Sequence, residues 1–277
     1  MTNRFAGRSF QIAALLLAPM FLLMTACTDL TGRGAAPLDK SVGAPVLEHP
    51  RVGHVYCMRG WLGIFSEGMD ALAHEIDIDL GATAVSVANE EHYRLQDFLV
   101  EKSEQGLLKE PLVLLGHSYG ADDMIRVAQT LKEHNIQVDL LVLLDPVTPP
   151  KIPSNVKRAY CVYKSHPLTD WYPAWRGVPA EVADPAATPL ENIDLAKADL
   201  GWNTERVGHV NIEKTREVHV MAMQEIAKVC PYRAGVTDRR PVPTAGELQP
   251  IPGEYPATAG NPTRPLHGPG PTSASPN

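Results

Sequence analysis

Short apolar runs alternate with amphipathic stretches through the middle of the chain. His54-Val55-Tyr56-Cys57-Met58, Thr83-Ala84-Val85-Ser86-Val87, Leu112-Val113-Leu114-Leu115, Val138 to Leu144 and Val156 to Tyr163 read as strands, with a shorter one near Asn192-Ile193-Asp194-Leu195. The run from Val138 to Leu144 is nearly all apolar, the pattern of a central parallel strand buried on both faces. Between the runs, Met69, Leu72, Ala73 and Ile76 share one helical face, and a more polar helix spans about Tyr93 to Glu104. Ala121 to Asn135 places Met124, Val127, Ala128 and Leu131 at i, i+3, i+4 and i+7. A last helix from about Glu213 to Val229 turns Val218, Ala222, Ile226 and Val229 to one side. Strand–helix alternation predicts an α/β fold with a mostly parallel sheet of about six strands. There is no internal repeat.

The ends do not share this pattern. Arg4 and Arg8 precede an apolar stretch from Ile12 to Leu23, too short for a comfortable membrane span. The following Leu23-Met24-Thr25-Ala26-Cys27 resembles a bacterial lipoprotein signal, with Met24 where leucine is commonest. That resemblance implies cleavage of residues 1–26 and acylation of Cys27; ordinary secretory cleavage nearby, leaving a Cys27 thiol, is the alternative. Thr28 rather than aspartate after the cysteine resembles signals that sort to the outer membrane. Residues 27–50 read as a flexible tether, and 233–277, dominated by Pro, Gly, Thr and Ala, as a disordered tail that cannot offset its ordering entropy. One domain remains, 51–232.

A formal charge of −7 argues against a nucleic-acid partner, which wants a basic face, and against attraction to anionic lipid. A lipid on Cys27, not a basic surface, is the expected link to membrane. With Cys27 assigned to lipid, Cys57, Cys161 and Cys230 allow one disulfide and one leftover thiol. Cys57 lies in a strand-like run and reads as a buried thiol, and Cys161–Cys230 is the pairing chosen.

The chemistry concentrates at Gly116-His117-Ser118-Tyr119-Gly120, a G-x-S-x-G between an apolar run and an amphipathic helix. A serine there sits on a sharp turn that lifts its hydroxyl over the sheet edge, beside a helix N-terminus that favours developing negative charge. Serine needs a base, and the base needs an acid to orient it. Asp145 ends the Val138–Leu144 run and is the preferred acid, with Asp170 as the alternative; a turn or cap role before Pro146 is the bland reading. His209 lies in a loop before the last helix, where the α/β-hydrolase superfamily that this serine turn resembles carries its histidine, and is the preferred base. His166 and His219 compete less well, and His117 is aimed away by the turn.

From about Val52 to Val229 the chain resembles the α/β-hydrolase superfamily, through the serine turn with its flanking elements and the chain order Ser, Asp, His. Leu144-Asp145-Pro146 is similar to the acid-bearing turn of pancreatic-type lipases, and Asp170 stands where most other members carry their acid. Arg59-Gly60-Trp61 resembles the superfamily's His-Gly-x turn, with arginine in place of histidine. The resemblance implies a three-layer sandwich and a small lipase- or esterase-like serine hydrolase without cofactor. In it, Ser118 attacks an ester or thioester, His209 moves the proton, Asp145 holds His209, and the Tyr119 and Trp61 amides bind the oxyanion, each donor worth about 3 kcal/mol. The bland reading of Gly60 and Gly63 is that they end a strand.

Two rivals stay open: acyl transfer to an alcohol or amine on the same fold, and a non-catalytic cell-envelope binding module using the Pro-rich tail as spacer. No cysteine–histidine cluster has metal-ligand spacing, and no Gly-rich phosphate loop is present. Trp171, Tyr172, Trp175 and Trp202 occupy a long loop that reads equally as a cover for an apolar acyl group or as a satellite core.

Overall fold

In the computed structural model the described residues are 29–42, 49–64, 66–108, 110–166, 176–237 and 239–249. Six strands, β1 His54–Met58, β2 Thr83–Val87, β3 Leu112–His117, β4 Leu140–Leu144, β5 Ala159–Tyr163 and β6 Leu190–Asp194, form one sheet in the order β2-β1-β3-β4-β5-β6. Every pairing is parallel. Among the described residues, four α-helices cover it: α1 Gly68–Glu75, α2 His92–Glu104, α3 Tyr119–Glu133 and α4 Arg216–Val229.

Side-chain alternation divides the core into two layers. Tyr56 and Met58 of β1, Leu112 and Leu114 of β3, and Leu141 and Leu143 of β4 pack with Leu95 and Leu99 of α2 and Met124 and Leu131 of α3. Their neighbours Val55, Cys57, Val113, Leu115 and Val142 pack on the other face with Met69 and Leu72 of α1 and Val218, Ala222 and Ile226 of α4. Both faces are covered, so β1, β3, β4 and β5 are buried along their whole length, which is why they read as continuous apolar runs. β6 is an edge strand with exposed Glu191 and Asn192. Because all strands run the same way, their carboxyl ends meet at one edge: Met58 registers with Gly116, and His117 with Leu144.

The last helix starts later than its pattern implied. Glu213 belongs to a 3-10 turn, Ile212–Lys214, and α4 begins at Arg216.

Three further expectations are corrected. Within the segment read as a tether, residues 29–42 form a docked strap: Ala36, Leu38 and Val42 are buried, and a 3-10 turn at Leu38–Ser41 lies beside β2, the open edge of the sheet. The Ala36 N–H donates to the Glu91 carboxylate at 3.1 Å, and Arg94 donates to the Ala36 carbonyl at 2.7 Å. Within the segment read as a disordered tail, Arg233 pairs with Glu110 at 2.6 Å, and Val242 and Leu248 pack on the α1/α4 layer. Third, Cys57, Cys161 and Cys230 are all free and buried. A Cys161–Cys230 bridge is excluded by placement, since Cys161 sits in the α2/α3 layer and Cys230 in the α1/α4 layer, with the sheet between them.

Candidate active site

Ser118 joins β3 to α3 with φ 57° and ψ −127°, a conformation that L-residues rarely adopt. Such strain costs on the order of 1–3 kcal/mol and persists only where the surroundings enforce it. Here the Ser118 N–H is drawn into the sheet by the Leu144 carbonyl at 2.9 Å. A Cβ on Gly116 would overlap the Gly120 carbonyl, and one on Gly120 would overlap the Arg59 carbonyl, so the crossing demands glycine on both sides of the serine.

Asp145, at the end of β4, is 1 % exposed and also takes a positive φ of 49°. Its Oδ1 accepts the Lys164 N–H at 2.9 Å, and its Oδ2 accepts His209 Nδ1–H at 2.7 Å. With Nδ1 donating to the carboxylate, His209 Nε2 carries a lone pair, and it accepts the Ser118 hydroxyl at 2.9 Å. Serine, histidine and aspartate thus form one hydrogen-bonded relay drawn from the ends of β3 and β4 and the loop before α4.

A serine on a sharp strand-to-helix turn of a parallel sheet, with the acid after a later strand and the histidine before the last helix, is the α/β-hydrolase arrangement. This chain has the α/β-hydrolase fold.

No protein-family model matches the sequence, and no curated protein matches it. Among solved structures the chain is similar to the NocB thioesterase domain from the nocardicin cluster, at 13% identity and TM-score 0.40 over 64% of this chain and 93% of that one. It is similar to Aspergillus fumigatus lipase B at 12% identity and TM-score 0.46, over 70% of this chain and 57% of that one. An alpha/beta superfamily protein from Xanthomonas campestris is 16% identical with TM-score 0.34, over 64% of this chain and 98% of that one.

Around the relay, the α/β-hydrolase fold of this chain carries supports that the sequence reading missed. Lys164, 6 % exposed, spends all three ammonium protons on the carbonyls of Thr204, Glu205 and Val207, at 2.7, 2.9 and 2.7 Å. One residue therefore holds the acid through its N–H and the loop before His209 through its side chain. Asp122, in the first turn of α3, accepts the Val147 and Thr148 N–H groups at 3.2 and 2.8 Å and fixes the turn after Asp145; burial pushes its pKa up to about 6. No local sequence pattern marks either residue for this part.

His117 is indeed aimed away from the relay, yet it touches it from behind. Its Nε2–H donates to the His209 carbonyl at 2.9 Å, while Nδ1 accepts the Ser66 hydroxyl at 2.7 Å. Burial, then the nearby His209, holds its pKa well below the usual histidine value, so it stays neutral and keeps this tautomer. His219 lies inside α4 and serves structure: Nδ1 bonds Glu75 at 2.6 Å and Nε2–H donates to the Glu213 carbonyl at 2.7 Å. The Glu213 carboxylate packs against Gly68 at the start of α1 with the Lys214 ammonium 3.9 Å away, and burial pushes its pKa up to about 8. His166 follows β5, outside the relay.

The loop after β1 presses on the serine turn: a Cβ on Gly60 would stand 2.9 Å from both the His117 carbonyl and Ser118 Cβ. Trp61 follows Gly60 there, and Tyr119 opens α3 directly after Ser118. Arg59, where the superfamily commonly has histidine, points away into a buried charge cluster with Asp29 of the strap and Asp70 of α1, at 2.8 Å from the latter. A cavity of about 310 Å³ beneath the strap, lined by Arg33, Lys40, Arg59, Asp70 and His74 among others, includes no relay residue. Asp170, Trp171, Tyr172, Trp175 and Cys27 lie outside the described residues. Among the described residues, no group of three or more His, Cys, Asp or Glu is placed to hold a metal ion.

Proposed function

We propose that this protein is a serine hydrolase that cleaves a carboxylic ester or thioester through an acyl-Ser118 intermediate. The observation that carries the proposal is the relay, Ser118 to His209 at 2.9 Å and His209 to Asp145 at 2.7 Å, on a strained serine turn. As Ser118 Oγ attacks the acyl carbon, its proton passes to His209 Nε2, and buried Asp145 stabilises the imidazolium through Nδ1–H. The carbonyl oxygen gathers charge at the N-terminus of α3, where the Tyr119 amide is the assigned donor, with the Trp61 amide of the loop after β1 as the second. His209 then gives its proton to the departing alcohol or thiol. Water, deprotonated by the same nitrogen, attacks the acyl-serine and releases acid and free enzyme. No step calls on a cofactor. Cys27 is read as the acylated residue that fixes the protein to the cell envelope, with Thr28 pointing to the outer membrane facing the periplasm.

The test is covalent labelling of the detergent-solubilised protein by a fluorophosphonate, beside Ser118→Ala. Labelling lost in the variant, with hydrolysis of short acyl esters, is the expected result. An unlabelled but folded protein would instead favour the binding-module reading. Product analysis with added alcohols or amines separates hydrolysis from acyl transfer.

A further inference from the structure

We infer that the catalytic mouth faces the bilayer carrying the Cys27 anchor, so that the enzyme works on acyl esters embedded in that bilayer. The inference rests on the two readings just proposed, an acylated Cys27 and a nucleophilic Ser118.

Its first support is where the strap is fastened. The Asp29 carboxylate pairs with the Arg59 guanidinium, the two side chains 6 % and 5 % exposed. The Asp29 N–H donates to Glu90 at 2.6 Å, and the Leu30 N–H to the Leu62 carbonyl at 2.9 Å. Arg59 and Leu62 follow β1, and Glu90 follows β2, so all three contacts lie at the carboxyl edge of the sheet. Arg59 is also the residue whose carbonyl presses on Gly120 beside the nucleophile. The chain is thus clamped to the same loop that supplies the proposed Trp61 donor.

Covalent geometry does the rest. Between Cys27 and Asp29 lie two residue steps, which span at most about 7 Å fully extended. A free tether through residue 50 would have let the domain tumble tens of ångströms from the lipid. Two residues allow no such freedom, and the loop after β1 is held at the membrane surface.

A second, independent support is the distribution of exposed large apolar side chains. Ile78 and Leu107 apart, which precede β2 and β3 at the opposite edge, the exposed large apolar side chains among the described residues are Leu30, Ile64, Tyr93 and Val210, on the strap, the loop after β1, the start of α2 and the residue next to His209. Each of these segments lies at the carboxyl edge. Singly exposed apolar residues are ordinary, but these four share the sheet edge at which the anchor enters. The net charge of −7 argues against attraction to anionic lipid, which leaves apolar contact and the anchor as the main attractive forces.

The test uses the full acylated chain in phosphatidylcholine vesicles. Environment-sensitive thiol probes are placed at Ile64→Cys, Val210→Cys and, as the control at the opposite edge, Leu107→Cys. The native thiols of Cys57, Cys161 and Cys230 are buried and do not compete. Brominated lipid should quench the probes at 64 and 210 at least threefold more than the one at 107; equal quenching overturns the orientation. In parallel, a 20-residue Gly/Ser linker is inserted between Thr28 and Asp29, leaving the Asp29 clamp in place. Hydrolysis of a vesicle-embedded ester should fall about tenfold or more relative to a water-soluble one, and an unchanged ratio overturns the proposal. A chain that fails to bind vesicles removes the anchor reading, and with it this inference. A bound chain that hydrolyses neither ester removes the hydrolase reading, while the quenching still reports which face meets the lipid.

Discussion

His209 and His219 each bind a buried carboxylate through Nδ1 at nearly the same distance, 2.7 Å to Asp145 and 2.6 Å to Glu75. What separates them is the other nitrogen. Nε2 of His209 meets a hydroxyl that can give up a proton, at a side chain that is 9 % exposed. Nε2 of His219 meets the Glu213 carbonyl, which can only accept, in a side chain with no exposure at all. The first pair can pass a proton and return it. The second has nothing to exchange with, and burial, which alone would lower its pKa, is outweighed by the Glu75 bond and charge that raise it. A histidine–carboxylate pair becomes chemistry only when its free nitrogen is left for a reacting group.

That contrast can be broken by substitution. The largest effect is expected from Ser118→Ala and His209→Ala, each lowering ester hydrolysis a thousandfold or more with little change in melting temperature. His219→Ala should do the reverse, costing about 3 kcal/mol or more because Glu75 is left buried without its partner. Activity assays and denaturant melts on the same preparations decide it; a His219 variant that is stable but inactive would dissolve the distinction. Next comes Asp145→Asn, expected to lose about three to four orders of magnitude in kcat while Asp170→Asn stays near wild type. The opposite outcome would move the acid.

Lys164→Met sharpens the comparison by loosening only the loop that carries His209. Three carbonyls lose their donor, and kcat should fall roughly ten- to a hundredfold with KM little changed, as steady-state kinetics would show. The smallest effect concerns the structural pair. Glu213 holds its proton in the native state up to about pH 8, whereas the unfolded chain releases it near the ordinary glutamate value of 4.5. Its contribution to stability is therefore full below pH 4.5 and lost as pH climbs to 8, at no more than about 1.4 kcal/mol per unit. Lys214 and Glu67 face the same carboxyl, and His219, with its raised pKa, adds a loss of the same sign. Glu213→Gln should shrink the difference in melting temperature between pH 5 and pH 8 without abolishing it.

Most of the sheet was legible because β1, β3, β4 and β5 are buried on both faces, so their composition alone marks them. β6 was read two residues late because its first half, Leu190 and Glu191, meets solvent. Ser118, Asp145 and His209 could be chosen in advance because each sits where an element changes. The strap could not: Ala36, Leu38 and Val42 follow no period, and their burial depends on the open edge of β2. Nor does anything local announce that Lys164 reaches Thr204, or that Arg59 is claimed by Asp29. Such pairings exist only once distant segments have met.

The placement of the thiols has a consequence for how this chain must reach its fold. Cys161 and Cys230 end on opposite sides of the sheet, and neither can reach the other once β5 is paired. Before that moment, on an extended chain exposed to an oxidant, nothing keeps them apart. A bridge formed then would be a covalent knot that the native sheet cannot contain. Folding in the presence of an oxidant therefore competes with oxidation, and the deep burial that pushes the Cys230 thiol up to about 12 protects it only after the sheet has formed.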